Sequence, residues 1–353
     1  MSCRIRETLT GRLRTIVLEN ELLAVTVLAD KGADIARLEH KASGVDVLWK
    51  SPWGMREPGS GFAPAPNSNV AWLEAYEGGW QELFPNGGDA CVYQGVELSF
   101  HGEASSLPWS VEVLRDTPGE VSVRFAVRLF RSPFRLARTM TVHAGSPALT
   151  LEESAVNEGA LPLAAMWSHH PAFGGPFLTP ACRLDTDART VWADPDYDTP
   201  NGRLHPGGRW EWPHAQDRAG NAVDLRQVPA GPTDMLAYLG DFAEGWYALT
   251  NPDLGFGVAL VWPASTFPHA WLWQELRGST GFPWYGISYT MAVEPASTVP
   301  GHGVVHAMES TGTHLTFAPG ERRDFTLRAV FYDAGAGQAV RHVAADGRVT
   351  LRE

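Results

Sequence analysis

A chain of 353 residues, 44% hydrophobic and 19% charged, has apolar content for a large core and a composition too ordinary for disorder. Its net charge of −12, with no Lys/Arg cluster, repels phosphate backbones and makes nucleic acid a poor partner. The longest apolar stretch, residues 22–29, is interrupted by Thr26 and falls far short of the roughly 20 residues of a membrane-crossing helix, so no membrane span is expected.

The first residues mix both charges and lack an apolar segment ending in small residues, so a secretory leader is not expected and a cytoplasmic location follows. Cys3, Cys91 and Cys182 are scattered and odd in number, which fits a reducing compartment and gives no zinc-ligand spacing. The 14 Trp, 36 Gly and 26 Pro oppose long helices and supply turns and flat aromatic surfaces of the kind on which sugar rings stack.

In chain order, residues 51–90 form the first of three long irregular stretches rich in Pro, Gly, Trp and His; the others are residues 193–222 and 264–286. Loops of that length in a compact domain are usually functional or disordered, and their aromatic content argues against disorder. Within the first stretch, Gly78 and Gly79 precede Trp80-Gln81-Glu82-Leu83-Phe84-Pro85, where glycines let the backbone pass close to another group. The competing reading is a glycine-rich turn packing Phe84 and Pro85 into the core.

Residues 92–100 read as a strand ending in His101, either a histidine that bonds a carbonyl or one that enters a site. Residues 120–131 alternate, with Val121, Val123, Phe125 and Val127 on one face and Ser122, Arg124 and Arg128 on the other. Leu136, Arg138, Met140 and Val142 continue that alternation, as do Leu149 and Leu151 against Thr150 and Glu152, and the segments together read as an antiparallel meander. His169 and His170 precede Pro171, which favours extended backbone, so the two imidazoles face opposite ways and only one can enter a given pocket.

An aromatic-rich strand beginning near Trp284 leads to Glu294-Pro295, a carboxylate set among Tyr, Met and Val that is costly to bury unless it is bonded or functional. His302 and His306 have helical spacing, but Gly301 and Gly303 argue against a helix. Residues 325–332 alternate after a Pro-Gly turn and read as a strand closing the sheet, and residues 338–345 look briefly helical. No linker composition or fixed repeat divides the chain, which reads as one all-β domain over residues 1–353 with very little helix.

His101-Gly102 with Pro108-Trp109, then His170-Pro171-Ala172-Phe173, then Val293-Glu294-Pro295, occur in the order and spacing that resemble the aldose 1-epimerase (galactose mutarotase-like) superfamily. The Gly78-Gly79 and Leu83-Phe84-Pro85 segment resembles that family's substrate loop, and the likeness spans about residues 15–333. It implies an antiparallel β-supersandwich that interconverts the anomers of a free sugar without cofactor or metal. Glu294 resembles the general base and His170 the general acid, with His101 and Asp234 contacting the sugar and Asp241 second to Asp234.

Trp80, Gln81 and Trp273 complete the expected substrate contacts, and Trp271 is a further stacking candidate. An ionised Glu294 and a protonated His170 are expected to face each other across a ring-sized gap in an open groove. The sequence also departs from the resemblance. Asn86-Gly87-Gly88-Asp89-Ala90 offers no substrate-binding Arg after Phe84-Pro85, and Glu103-Ala104-Ser105 replaces the Phe-Ala-Arg of phosphosugar-type members, so the expected sugar is unphosphorylated.

Three other readings stand beside this one. A non-catalytic sugar-binding protein on the same scaffold would keep the tryptophans and lose the acid/base pair. A metalloenzyme would draw on His101, His169, His170, His302 and His306. A glycosidase would need a second carboxylate beside Glu294, such as Asp234 or Glu82.

Overall fold

The computed structural model describes residues 2–56, 65–335 and 337–352. Two large antiparallel sheets, of 12 and 8 strands, stack on a common core, which is the expected all-β class. That core takes Leu23, Val25, Trp80, Phe173, Leu272 and Val293 from the larger sheet and Val123, Phe125, Met140, Leu151, Leu260 and Leu327 from the smaller. No helix among the described residues is long and apolar enough to cross a membrane.

Alternation explains the smaller sheet. In the strand Glu120–Arg128 the valines and Phe125 are buried in the core, while on the other face Ser122 bonds Thr141 of the strand Phe134–His143 at 3.0 Å. The meander continues through Ala148–Asn157. The strand Arg322–Asp333 does not close this sheet but lies inside it, paired on one side with Ala148–Asn157 and on the other with Phe256–Val261.

Several local expectations are overturned. The tail is a strand, Val340–Val343, paired with Val349–Leu351, and a register shift between Val340 and His342 lets two valines three apart bury together as they would on a helix. A helix does follow His302: it runs Val304–Ser310, and Gly303 (φ 85) stands just outside it, where glycine does not weaken it. In place of one strand over residues 92–100 there is a short hairpin, Cys91–Tyr93 with Val96–Leu98, and the strand carrying Glu294 begins only at Tyr289.

The long stretches are not irregular throughout. The first holds the helix Ser68–Ala75 and the strand Trp80–Leu83, with residues 57–64 outside the described residues. The second contains the strands Arg209–Glu211 and His214–Gln216, and the third contains the whole of His269–Leu276.

The middle of the larger sheet places the site. There Trp80–Leu83, Ser168–Gly174, Tyr289–Ala296, His269–Leu276 and Thr233–Gly240 lie side by side, with one face on the core and the other turned away from it.

Candidate active site

Strand pairing lines up a single row of side chains across that second face. Gln81 pairs with His170, and Trp271 with both Glu294 and Tyr238. His170 and Glu294 face each other midway between the pairs Ser168/Ala296 and Ala172/Ala292. Neighbouring strands lie about 4.8 Å apart, so the two side chains meet, His170 Nε2 at 3.7 Å from Glu294 Oε1. The ring-sized gap expected between them is absent: acid and base sit side by side, and a sugar can reach both only from above.

An aromatic cage surrounds the pair. The rings of Tyr76, Trp273 and His101 lie 5.7, 5.7 and 5.6 Å from that of His170. Trp72 stacks on Tyr76 at 4.5 Å, and Trp49 and Trp284 continue the wall. Trp72 and Tyr76 come from the helix Ser68–Ala75 and its C-terminal end, one turn apart. The Asn67 side chain caps that helix by accepting the Val70 N–H, and Trp72 Nε1 is fixed by donating to Ser105 Oγ at 3.1 Å.

His101 sits in a left-handed turn (φ 58) and its Nδ1 accepts the Gly88 N–H at 3.0 Å. The ring proton therefore resides on Nε2, which becomes a donor. Gly88 (φ 70) passes so near Gly301 that a Cβ on it would lie 1.5 Å from the Gly301 carbonyl oxygen, so no other residue fits this His101-holding position.

Burial sets the protonation of the pair. It pushes the Glu294 carboxyl well above its ordinary range and the His170 imidazole down to about 4. The expected ion pair of carboxylate and imidazolium is therefore replaced by neutral groups, because neither side chain has the water that would stabilise its charge. The proton count is the same in both forms: the pair holds one. Glu294 Oε2, Gln81 Oε1 and the Tyr76 hydroxyl are buried without a hydrogen-bond partner, and such groups at one place mark a surface made for a polar ligand.

The other predicted residues separate clearly. Gln81 faces the pair, its amide nitrogen donating to the Gly78 carbonyl at 2.5 Å. Trp273 is half-buried beside His170. Trp80 is a correction: strand alternation turns it to the core, where it is fully buried and donates to His169 Nδ1 at 3.1 Å. Trp271 is buried in the row, its Nε1 donating to the Thr298 carbonyl.

Asp234 shares the face but pairs with Glu275, four residues along its strand from Tyr238, about 13 Å from the row of Glu294 at 3.3 Å per residue. Its carboxylate is bonded by the Thr199 and Ser279 hydroxyls, so the structure does not bring it to the pair. Asp241 lies beyond the end of that strand, in a left-handed turn (φ 55).

Behind the row, His169 Nε2 lies 3.5 Å from Glu153, and Arg138 is buried between Glu153 (2.7 Å) and Glu82 (2.5 Å). Glu82 thus faces the core and is not a second carboxylate for Glu294. His302 is held between Asp89 and Asp194, each at 2.9 Å, and these bonds raise it to about 10, so it is a cation gripped by carboxylates. Asp196 completes a group with Asp194 and His302 of metal-site dimensions, yet the protonated imidazole already supplies the positive charge there.

Sequence reasoning missed Trp49, Trp72, Tyr76 and Trp284. The available signal was Asn67 ahead of Val70, Trp72 and Tyr76, an N-cap followed by aromatic residues four apart. It also missed a buried Lys31 that bridges Asp34 and Glu77, the latter at 2.8 Å, with burial pushing Asp34 up to about 7.

Comparison with solved structures matches a candidate aldose 1-epimerase from Klebsiella pneumoniae with a TM-score of 0.74 at 18% identity, over 94% of this chain and 84% of that one. A galactose mutarotase-like protein from Clostridium acetobutylicum matches with a TM-score of 0.67 at 14% identity, over 94% and 99%. A galactose mutarotase related enzyme from Lactobacillus acidophilus matches with a TM-score of 0.60 at 15% identity, over 91% and 98%. At such identities the likeness establishes the galactose mutarotase-like fold. No curated protein matches the sequence. A family profile described as a domain of unknown function, DUF4432, matches residues 12–330, and the chain therefore belongs to the DUF4432 family, carried on a galactose mutarotase-like fold.

Proposed function

We propose that this protein is a mutarotase that opens and recloses the ring of an uncharged free aldose by proton transfer through Glu294 and His170. The observation that carries this reading is the side-by-side pair, 3.7 Å apart, buried under an aromatic cage and holding one proton. Anomerisation needs one proton removed from the C1 hydroxyl and one added to the ring oxygen. Both oxygens are bonded to the same carbon, so adjacent rather than opposed groups match their spacing.

In the first half-reaction the neutral His170 takes the O1 proton while the Glu294 carboxyl protonates the ring oxygen. The bond from C1 to the ring oxygen breaks and C1=O1 forms. The open aldehyde turns about the C1–C2 bond, the hydroxyl adds to the other face of the carbonyl, and the protons return by the reverse route. Roles are exchanged relative to those the resemblance implied, because burial keeps the proton on the carboxyl, although the overall transfer is identical. The His101 Nε2–H, Gln81 and Tyr76 are placed to bond sugar hydroxyls, and Trp273 and Tyr76 to stack on the ring.

An uncharged substrate is supported at the position after Phe84-Pro85 where the resemblance implied an Arg. Asn86 spends its amide on the Asp89 and Ser99 carbonyls and its oxygen on the Val304 N–H, leaving no donor for a phosphate. The glycosidase alternative loses support because Glu82 is turned to the core and Asp234 lies far along its strand. Exchange between anomeric protons, followed by NMR over a panel of aldoses, tests the proposal. At least one sugar should exchange faster with protein, and Glu294→Gln and His170→Asn should each lower that rate by on the order of 10² to 10⁴. Undiminished exchange in either variant refutes the assignment.

A further inference from the structure

The aromatic wall of the site does not stop at the cage. From His170 the rings run to Trp273 (5.7 Å), from Trp273 to Trp284 (5.3 Å) and from Trp284 to Trp53 (5.9 Å). Trp53 in turn lines a cavity of about 380 Å³ together with Leu73, Phe282, Tyr285 and Ile287. Phe282, Tyr285 and Ile287 are 53, 61 and 59% exposed, an apolar patch at the outer end of a file of rings that begins at the catalytic pair.

We propose that this cavity is a second sugar subsite, which takes the non-reducing unit of a disaccharide whose reducing unit occupies the Glu294/His170 cage. The placement of the reducing unit rests on the mutarotase reading; the subsite itself rests on the patch. Anomerisation engages only O1 and the ring oxygen, so the other hydroxyls of the sugar are free to carry a substituent and a glycosidic link through one of them is compatible with the chemistry. A pyranose has an apolar C–H face and a rim of hydroxyls, which matches an aromatic floor bordered by the charged ends of Arg56 and Glu74.

The backbone supports a built platform. Tyr285 is held at φ 44, a conformation that a residue with a side chain keeps only where surrounding structure enforces it. Here the Trp284 and Tyr285 N–H groups both donate to the Gly281 carbonyl and the Ile287 N–H to the Trp284 carbonyl. These turns present Phe282, Tyr285 and Ile287 outward. An anionic lipid surface is a poor occupant for a chain of net charge −12 with a single Arg lining this cavity.

The test compares anomeric exchange of glucose with that of maltose and cellobiose, and of galactose with β-1,4-galactobiose, in the wild type, Tyr285→Ala and Phe282→Ala. One disaccharide should be a better substrate than its monosaccharide. The variants should lower its kcat/KM by roughly fivefold to tenfold, leaving the monosaccharide within about twofold. Equal effects on both, or none, overturn the subsite. If no sugar exchanges faster with protein, the mutarotase reading fails, and calorimetric titration with methyl maltoside and methyl cellobioside decides the subsite alone: binding weakened by Tyr285→Ala upholds it, and absence of wild-type binding overturns it. A smaller sedimenting species in Tyr285→Ala with unchanged sugar rates makes the patch a contact between copies, which also overturns it.

Discussion

Glu294 and His170 behave unlike the same side chains in water, and the difference is measurable through pH. Under the proposed mechanism the pair works with one proton, so activity should be lost when a second proton is added and when the first is removed. The second addition occurs at His170, at about 4, and not at the ordinary imidazole value of about 6.5. The kcat/KM for anomeric exchange should therefore stay level from neutral pH through 6.5 and fall only toward pH 4; a decline centred on 6.5 would refute the neutral pair. The same shift has a sign in stability. A carboxyl whose folded pKa is raised contributes most below its unfolded value of about 4.3, and the contribution is lost as pH rises toward the folded value. Between pH 5 and 7 the stability of the wild type relative to Glu294→Gln should thus decline by up to about 1.4 kcal/mol per pH unit, read from urea unfolding at each pH. A difference independent of pH would place the charge on Glu294. The identities of these residues were legible because His170-Pro171 and Glu294-Pro295 stand in a recognisable order; their protonation was not, because burial is a property of the cage and not of the motif.

Strand parity decides which predicted contacts survive. Trp80 and Gln81 are neighbours in sequence, yet one enters the core and the other faces the pair, and nothing in Gly78-Gly79-Trp80-Gln81 says which. For His169 and His170 the sequence did show that they must diverge, without showing which way. The rear of the strand Ser168–Gly174 is tied to a polar cluster in the core, with Arg138 between Glu82 and Glu153 and the Trp167 Nε1 donating to Glu82 at 2.8 Å. Removing Arg138 leaves the carboxyl groups of Glu82 and Glu153 buried together without their common donor. Arg138→Met should cost roughly 3 to 5 kcal/mol in urea unfolding, because the Glu82 carboxylate loses its buried cation, and the loss should shrink when Glu82→Gln is added; burial pushes the Glu153 carboxyl well above its ordinary range, so Glu153→Gln should change the loss less. An Arg138→Met protein as stable as wild type would mean that the triad is not ionised as drawn. The helix Ser68–Ala75 was missed because it is short and its aromatic residues face the cage around His170, so it lacks the broad amphipathic period that marks longer helices.

Across the whole molecule, local alternation made the meander and the all-β class readable, since Val121 to Val127 and Leu149 to Leu151 specify which face is buried wherever the partner strand lies. Pairing between distant strands left no such trace. Trp80–Leu83 joins Ser168–Gly174, which joins Tyr289–Ala296, and the sequence offers no periodicity that crosses those intervals. The position of Arg322–Asp333 inside its sheet was hidden for the same reason. The row Gln81, His170, Glu294, Trp271 therefore has a temporal consequence. Its members span more than half the chain, and loop closure over such separations is slow. No stretch of this sequence that stops short of Glu294 contains both members of the pair, so on refolding the contact between His170 and Glu294 should form after the first recovery of strand signal.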